Sequence, residues 1–67
     1  TTDEIRKLIL DHVEGYPLTH DTLWRMCGRP QGNDSYYFDV ELGKLTDEGK
    51  IRQERGQFSM VYSKVSA

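Results

Sequence analysis

The sequence has only 1 cysteine, 2 prolines and no long apolar run. Cys27 has no partner for an internal disulfide, so a secreted disulfide scaffold is not expected. No apolar stretch approaches the roughly 20 residues that a membrane helix needs, and no signal peptide or lipidation motif is present. We therefore expect a reduced, soluble, cytoplasmic protein without a membrane partner.

Positive charge is also scarce. The chain has 9 Lys and Arg residues against 11 Asp and Glu residues, a formal net charge of −2. A protein that binds duplex DNA normally has a basic surface. The field at one face matters more than the summed charge, so the composition does not exclude binding through a local basic patch.

What the chain does contain suits one small domain over residues 1–67. Hydrophobic residues make up 36% of it, enough apolar material for one core. A chain of this size buries only about 60% of the surface that it exposes when unfolded, so we expect modest stability. The patterning below predicts a mostly α fold of the α+β class, with three helices followed by a two-stranded antiparallel hairpin.

Apolar periodicity predicts a first helix over Thr2 to Glu14. Thr1 and Glu4 stand as a capping-box pair at its start. Thr19 is placed to cap a second helix from His20 to Cys27. The residues expected to face inward are Ile5, Leu8, Ile9 and Val13 in the first helix, and Leu23, Trp24 and Cys27 in the second.

A third helix is predicted after the turn composition Arg29-Pro30-Gln31-Gly32-Asn33. Asn33 or Asp34 is its expected cap, and it extends to about Glu48. Gly49 then ends it. The buried stripe of this helix is Phe38, Leu42 and Leu45.

Two strands are predicted at the C-terminal end, Ile51 to Glu54 and Phe58 to Lys64, around Arg55-Gly56 or Arg55-Gly56-Gln57. With the two-residue turn, Ile51 pairs with Met60 and Gln53 with Phe58. An isolated hairpin is marginal in water, so its apolar face must lie against the helices. Period-2 alternation assigns to that face Ile51, Phe58, Met60 and Tyr62.

The segment Phe38-x3-Leu42-x2-Leu45-x3-Gly49-x-Ile51 resembles the third helix and first wing strand of winged helix-turn-helix domains. Thr19-x3-Leu23-Trp24-x2-Cys27-Gly28 is similar to their second helix. The resemblance covers about Ile5 to Tyr62 and implies a winged-helix fold. It says little about function, since such domains also serve as protein-interaction modules.

The sequence departs from that pattern in two places. Trp24 stands where the family usually has a small residue, so the packing between the second and third helices must differ. The turn from Gly28 to Phe38 is about four residues longer than the usual connection. The usual spacing of phosphate contacts is therefore not expected here.

In a DNA-binding winged helix, the exposed half of the third helix enters the major groove. The match assigns to base and phosphate contacts Ser35, Tyr36, Tyr37, Asp39, Val40 and Lys44. Asp39 or Glu41 could accept a hydrogen bond from cytosine. Alternatively, one tyrosine is a core residue and the acids Asp34, Asp39, Glu41 and Asp47 form a solvated face, or the face binds a protein through its tyrosines.

The predicted hairpin is the more basic part of the chain. A cationic wing suits the minor groove or the DNA backbone, although Lys and Arg also protect edge strands against aggregation. The wing residues expected to contact DNA are Arg52, Arg55, Gln57 and Lys64, with Lys50 at the base of the wing. Further phosphate contacts are assigned to Thr19, His20, Arg25 and Arg29.

Catalysis is not expected, because the carboxylates are scattered and no phosphate-binding glycine loop is present. His12, His20, Asp21 and Cys27 match no zinc spacing. We expect no cofactor, metal or small-molecule substrate. The sequence predicts a small DNA-binding regulator of transcription or replication, associated with the nucleoid, with double-stranded DNA as its partner and a homodimer or second protein to add contacts. The alternative is an adaptor, anti-repressor or complex subunit that binds protein.

Overall fold

The computed structural model describes residues 2–65, which form three helices and a three-stranded antiparallel sheet. The expected α+β class, the three helices and the C-terminal hairpin are confirmed. Thr1, the expected capping-box residue, lies outside the described part of the chain. The elements are α1 Thr2–Val13, β1 Leu18–Thr19, α2 His20–Met26, α3 Asn33–Asp47, β2 Ile51–Arg55 and β3 Met60–Lys64.

The sheet has one strand more than the two predicted. Leu18 and Thr19 pair with Tyr62 and Val61, whereas the sequence predicted of Thr19 only that it caps α2 and assigned Leu18 to no strand. The strand order is therefore β1-β3-β2, with β3 in the centre. A two-residue strand is too short to show period-2 alternation, and its partner strand lies far away in the sequence. No local sequence pattern therefore predicts it.

The hairpin register also differs from the prediction. Ile51 pairs with Lys64 and Gln53 with Tyr62, because β2 and β3 are joined by a loop of residues 56–59 instead of a two-residue turn. The slip covers an even number of residues, so Ile51 and Tyr62 remain on the inward face as expected. Phe58 does not: it lies in the loop and is 92% exposed.

The core lies between the helices and the inward face of the sheet. Phe38 of α3 is fully buried at its centre, as its place in the apolar stripe predicts. Leu8 was expected inside but is 40% exposed, because α1 buries the narrower stripe of Ile9 and Val13. The buried apolar residues are Ile9, Val13, Leu18, Leu23, Phe38, Leu42, Leu45, Ile51 and Tyr62.

The start of α3 is not capped as predicted. Gly32, with a positive φ of 57°, occupies the cap position and no side chain bonds the free amides there. Asn33 is already the first helical residue. The long connection before α3 is tied to α2 by Trp24, whose indole Nε1 donates a 3.0 Å hydrogen bond to the Pro30 carbonyl. Trp24 is thus half-buried at the margin of the core.

The hairpin loop tolerates no side chain at Gly56. A Cβ there would lie 2.6 Å from the Ser59 carbonyl oxygen and 2.8 Å from Val61 Cγ2. We expect Gly56→Ala to lower the free energy of unfolding by about 1–3 kcal/mol, as other overpacking substitutions do. Urea denaturation followed by circular dichroism measures the change.

Gly43 provides the matched control, since it lies within α3 and a Cβ there meets nothing within 4 Å. Gly43→Ala should raise the free energy of unfolding by about 0.5–1 kcal/mol through helix propensity. Equal effects of the two substitutions would contradict the loop geometry.

Candidate functional site

The tip of the β2–β3 hairpin, residues 55–60, is the most distinctive exposed feature of the molecule. The Gly56 amide donates a 2.8 Å hydrogen bond to the Ser59 carbonyl, which closes the loop. Phe58 projects from the closed loop almost wholly into solvent. Arg55 and Gln57 lie beside it and are exposed. The tip therefore presents an aromatic ring flanked by a cation and an amide.

The other cations of the predicted wing are balanced by carboxylates. Arg52 Nε lies 2.6 Å from Glu54 Oε1, and Lys64 Nζ lies 4.0 Å from Glu14 Oε1. Lys50, at the base of the hairpin, pairs with Glu48 at 3.6 Å. Arg55 has no ion pair among residues 2–65. Within the hairpin, the positive charge that is free for a ligand is therefore at the tip, on fewer residues than the sequence predicts.

The exposed face of α3 is aromatic and acidic. Tyr36 is 66% exposed and Tyr37 is 42% exposed, so the alternative in which one of them is a core residue is wrong. Their rings meet edge to face with centroids 5.6 Å apart. Ser35 and Val40 are half-buried beside them. This face offers aromatic contact area and hydroxyl groups, but little positive charge.

The polar residues at the two sides of this face are already engaged. Asp39 Oδ1 lies 3.0 Å from His20 Nε2, and Lys44 Nζ lies 3.5 Å from Glu41 Oε2. Glu41, expected as an exposed acceptor, is only 5% exposed. A buried glutamate cannot reach a base edge, so that part of the prediction is wrong.

Most phosphate contacts predicted around α2 also have internal partners. The Thr19 hydroxyl accepts a 3.2 Å hydrogen bond from the Thr22 amide and so caps α2 as predicted. His20 packs edge-on against the Phe38 ring in addition to its contact with Asp39. Arg25 Nε pairs with Asp21 Oδ2 at 3.1 Å. Arg29, for which the described residues supply no ion pair, is the one cation of this group without a carboxylate.

A second charge cluster joins α1 to α3. Arg6 contacts Glu41 Oε1 at 3.4 Å and also Glu48, while Lys44 lies 3.5 Å from the other carboxylate oxygen of Glu41. The hydrogen bond from Arg6 holds the pKa of Glu48 below its usual range, and the same contact raises the pKa of Arg6. The cluster satisfies a buried carboxylate and fixes the crossing of two helices, which is a structural role.

The described residues give little support for other chemistry. Burial raises the pKa of the Cys27 thiol to about 11, so the reactive thiolate is rare at neutral pH. Residues 2–65 contain no cluster of three or more His, Cys, Asp or Glu side chains that could hold a metal. Within the same residues, no helix has the length and apolarity to cross a membrane.

The fold thus defines a small α+β domain whose exposed features are the hairpin tip and the aromatic face of α3. No family model, curated protein or solved structure matches the chain. A function must therefore follow from the chemistry of these two surfaces.

Replacing Arg6 tests the α1–α3 charge cluster. We expect Arg6→Met to lower the free energy of unfolding at pH 7, because it leaves the buried Glu41 with Lys44 alone. The variant should also lose part of the acid sensitivity of the parent. Glu48 has a lower pKa in the folded chain, so its contribution is fully present above the ordinary glutamate pKa and is lost as the pH falls from there through the lower folded-state pKa.

Arg25→Met is the matched control, since Arg25 pairs with Asp21 on the surface. Exposed pairs contribute little, so we expect a change of about 0.5 kcal/mol or less. Urea denaturation at several pH values measures both effects. Indistinguishable stabilities of the two variants at neutral pH would contradict the assigned role of the cluster.

Proposed function

We propose that the chain is a winged-helix domain that binds duplex DNA, with the β2–β3 hairpin as its wing. Three helices followed by a β-hairpin support this arrangement, and β1 anchors the hairpin by pairing with β3. In this proposal the protein is a small regulator of transcription or replication. The observation that carries it is the hairpin tip, where no carboxylate of residues 2–65 pairs with Arg55 and Phe58 is 92% exposed.

The side chains of the tip suit duplex DNA, which combines a polyanionic backbone with apolar base surfaces between the base steps. An arginine without a carboxylate partner can contact phosphate or enter the minor groove, where the potential is negative. Gln57 adds an amide that both donates and accepts hydrogen bonds. Exposed aromatic and aliphatic side chains of minor-groove proteins insert between base steps, and Phe58 is placed for such a contact.

The segment from β2 through β3 also differs in charge from the rest of the molecule. Residues 51–64 contain 3 Lys and Arg residues and a single Glu, in a chain with a net charge of −2. The hairpin would therefore approach DNA first, while Asp34, Asp39 and Asp47 are repelled by phosphate. In this proposal the wing, and not the third helix, makes the main contact with DNA.

The third helix still has a place in the proposal. With the wing on the backbone or in the minor groove, α3 would point toward the major groove with Tyr36, Tyr37 and Lys44 as its contacts. Lys44 is partly neutralised by Glu41, so each molecule would neutralise few phosphates. We expect moderate affinity and a shallow dependence on salt compared with strongly basic proteins.

The proposal predicts a specific loss on replacing Arg55. Arg55→Ala should weaken binding to a random duplex and lower the slope of log affinity against log salt by about 0.9, the value for one phosphate contact. Fluorescence anisotropy with a labelled duplex at several salt concentrations measures both. Because Arg55 is exposed, its replacement should leave the fold unchanged.

Lys7 supplies the matched control. It is exposed on α1, and none of the ion pairs of residues 2–65 involves it, so Lys7→Ala removes one charge from a different element. Its effect on affinity should be small. Equal losses in the two variants would mean that binding follows net charge alone and would contradict a site at the tip.

A protein-interaction module is the second candidate, favoured by the α3 face. Tyr36 and Tyr37 are exposed in mutual contact, and Gly43 on the same helix leaves its backbone open to a close approach. Exposed tyrosines are frequent hot spots of protein interfaces. If the chain is a protein-interaction module, we expect no binding to duplex DNA even at low salt. We also expect Tyr36→Ala to weaken the complex with a protein partner and Arg55→Ala to leave it unchanged.

A further inference from the structure

The strand β2 has a free edge. In the sheet that residues 2–65 form, with the order β1-β3-β2, β2 has a neighbour on one side only. Of its residues only Ile51 is buried, and the others are exposed. The opposite edge of the sheet, β1, is only 2 residues long, so β2 is the longer of the two open edges. An exposed edge of this kind is a template for pairing with another strand.

The hydrogen bonds of the hairpin show which backbone groups of β2 point outward. Gly56 donates to the Ser59 carbonyl in the same register that pairs β2 with β3. Hydrogen-bonded and non-hydrogen-bonded pairs alternate along an antiparallel ladder. The amides and carbonyls of Glu54 and Arg52 therefore point toward β3, and those of Ile51, Gln53 and Arg55 point away from it.

The side chains along this edge are complementary to themselves. Arg52 and Glu54 alternate with Gln53, so both lie on the outer face of the sheet, where they form an ion pair within one chain. If a second β2 pairs antiparallel about Gln53, Arg52 of each chain stands opposite Glu54 of the other. Opposite charges in directly facing positions stabilise a sheet.

This register also satisfies the outward backbone groups. With Gln53 opposite its own copy, the outward groups of Ile51 meet those of Arg55 in the other chain. Centring the pair on Arg52 or on Glu54 would place like charges directly opposite each other, which is unfavourable. The charge sequence of the strand therefore selects one antiparallel register.

We propose that two copies of this chain associate through β2 to form a symmetric dimer with one continuous antiparallel sheet. The contact is isologous, because both copies use the same strand and the two-fold axis passes between the two Gln53 residues. A single second copy occupies the edge completely, so the assembly is closed. The proposal does not depend on DNA binding.

A second copy fits this edge better than other occupants. A foreign peptide would need an acid and a base at the complementary positions, which β2 itself already provides in the right order. A nucleic acid would leave the outward amides and carbonyls of the strand without ladder partners. The contact is short, so we expect a weak and concentration-dependent dimer.

Charge reversal tests the proposal. Sedimentation velocity of the full chain, from about 10 μM to about 1 mM, covers the range in which small interfaces associate. Arg52→Glu and Glu54→Arg should each weaken the dimer by about tenfold or more, because each replaces both opposite-charge pairs with like-charge pairs. The double variant should recover dimerisation, since it restores both pairs with their signs exchanged.

Circular dichroism of each variant serves as the folding control, and both side chains are exposed, so the fold should persist. A monomer over the whole concentration range would overturn the proposal. Dimerisation that is unaffected by either single reversal, or not recovered in the double variant, would overturn it as well. As a second measurement, hydrogen exchange at the Gln53 amide should slow with rising protein concentration.

Discussion

The pairing of Leu18 and Thr19 with Tyr62 and Val61 holds the C-terminal hairpin against the helical part of the chain. It joins the segment between α1 and α2 to the last strand, and it places Leu18 and Tyr62 in the core. The Tyr62 hydroxyl also accepts a 2.9 Å hydrogen bond from the side-chain amide of Gln53, which links this contact to β2. A hairpin alone is marginal in water. The direction in which its tip points is therefore set by a two-residue strand.

The distribution of charge follows from how the helices are held together. Arg6, Lys44 and Lys50 are engaged by Glu41 and Glu48, so these cations stabilise packing and contribute little to an external field. Arg55 at the hairpin tip takes no part in this cluster and has no carboxylate partner among the described residues. A chain with net negative charge can thus present a local cationic surface, and this surface, together with Phe58, is the basis of the proposed DNA contact.

The sequence predicted the helices well because Phe38, Leu42 and Leu45 repeat at helical spacing and Thr19 and Gly49 mark helix ends. It did not predict β1, whose partner is distant in the chain. It misplaced Phe58 because alternation along residues 58–64 is equally compatible with a longer loop. The burial of Glu41 was also missed, since its partner Arg6 lies on another helix. Arg55 was among the predicted DNA contacts. That it is the hairpin cation without a carboxylate partner among residues 2–65 could not be predicted, because the ion pairs of the described residues follow from the fold.

We propose the hairpin tip as the surface that contacts duplex DNA. The most direct test of this proposal is a titration of the ¹⁵N-labelled chain with a short duplex at low salt, followed by the backbone amide resonances. If DNA binds at the tip, the largest shifts fall within residues 55–60, with smaller changes at the exposed residues of α3. An unchanged spectrum, or shifts confined to α1, would contradict the proposal.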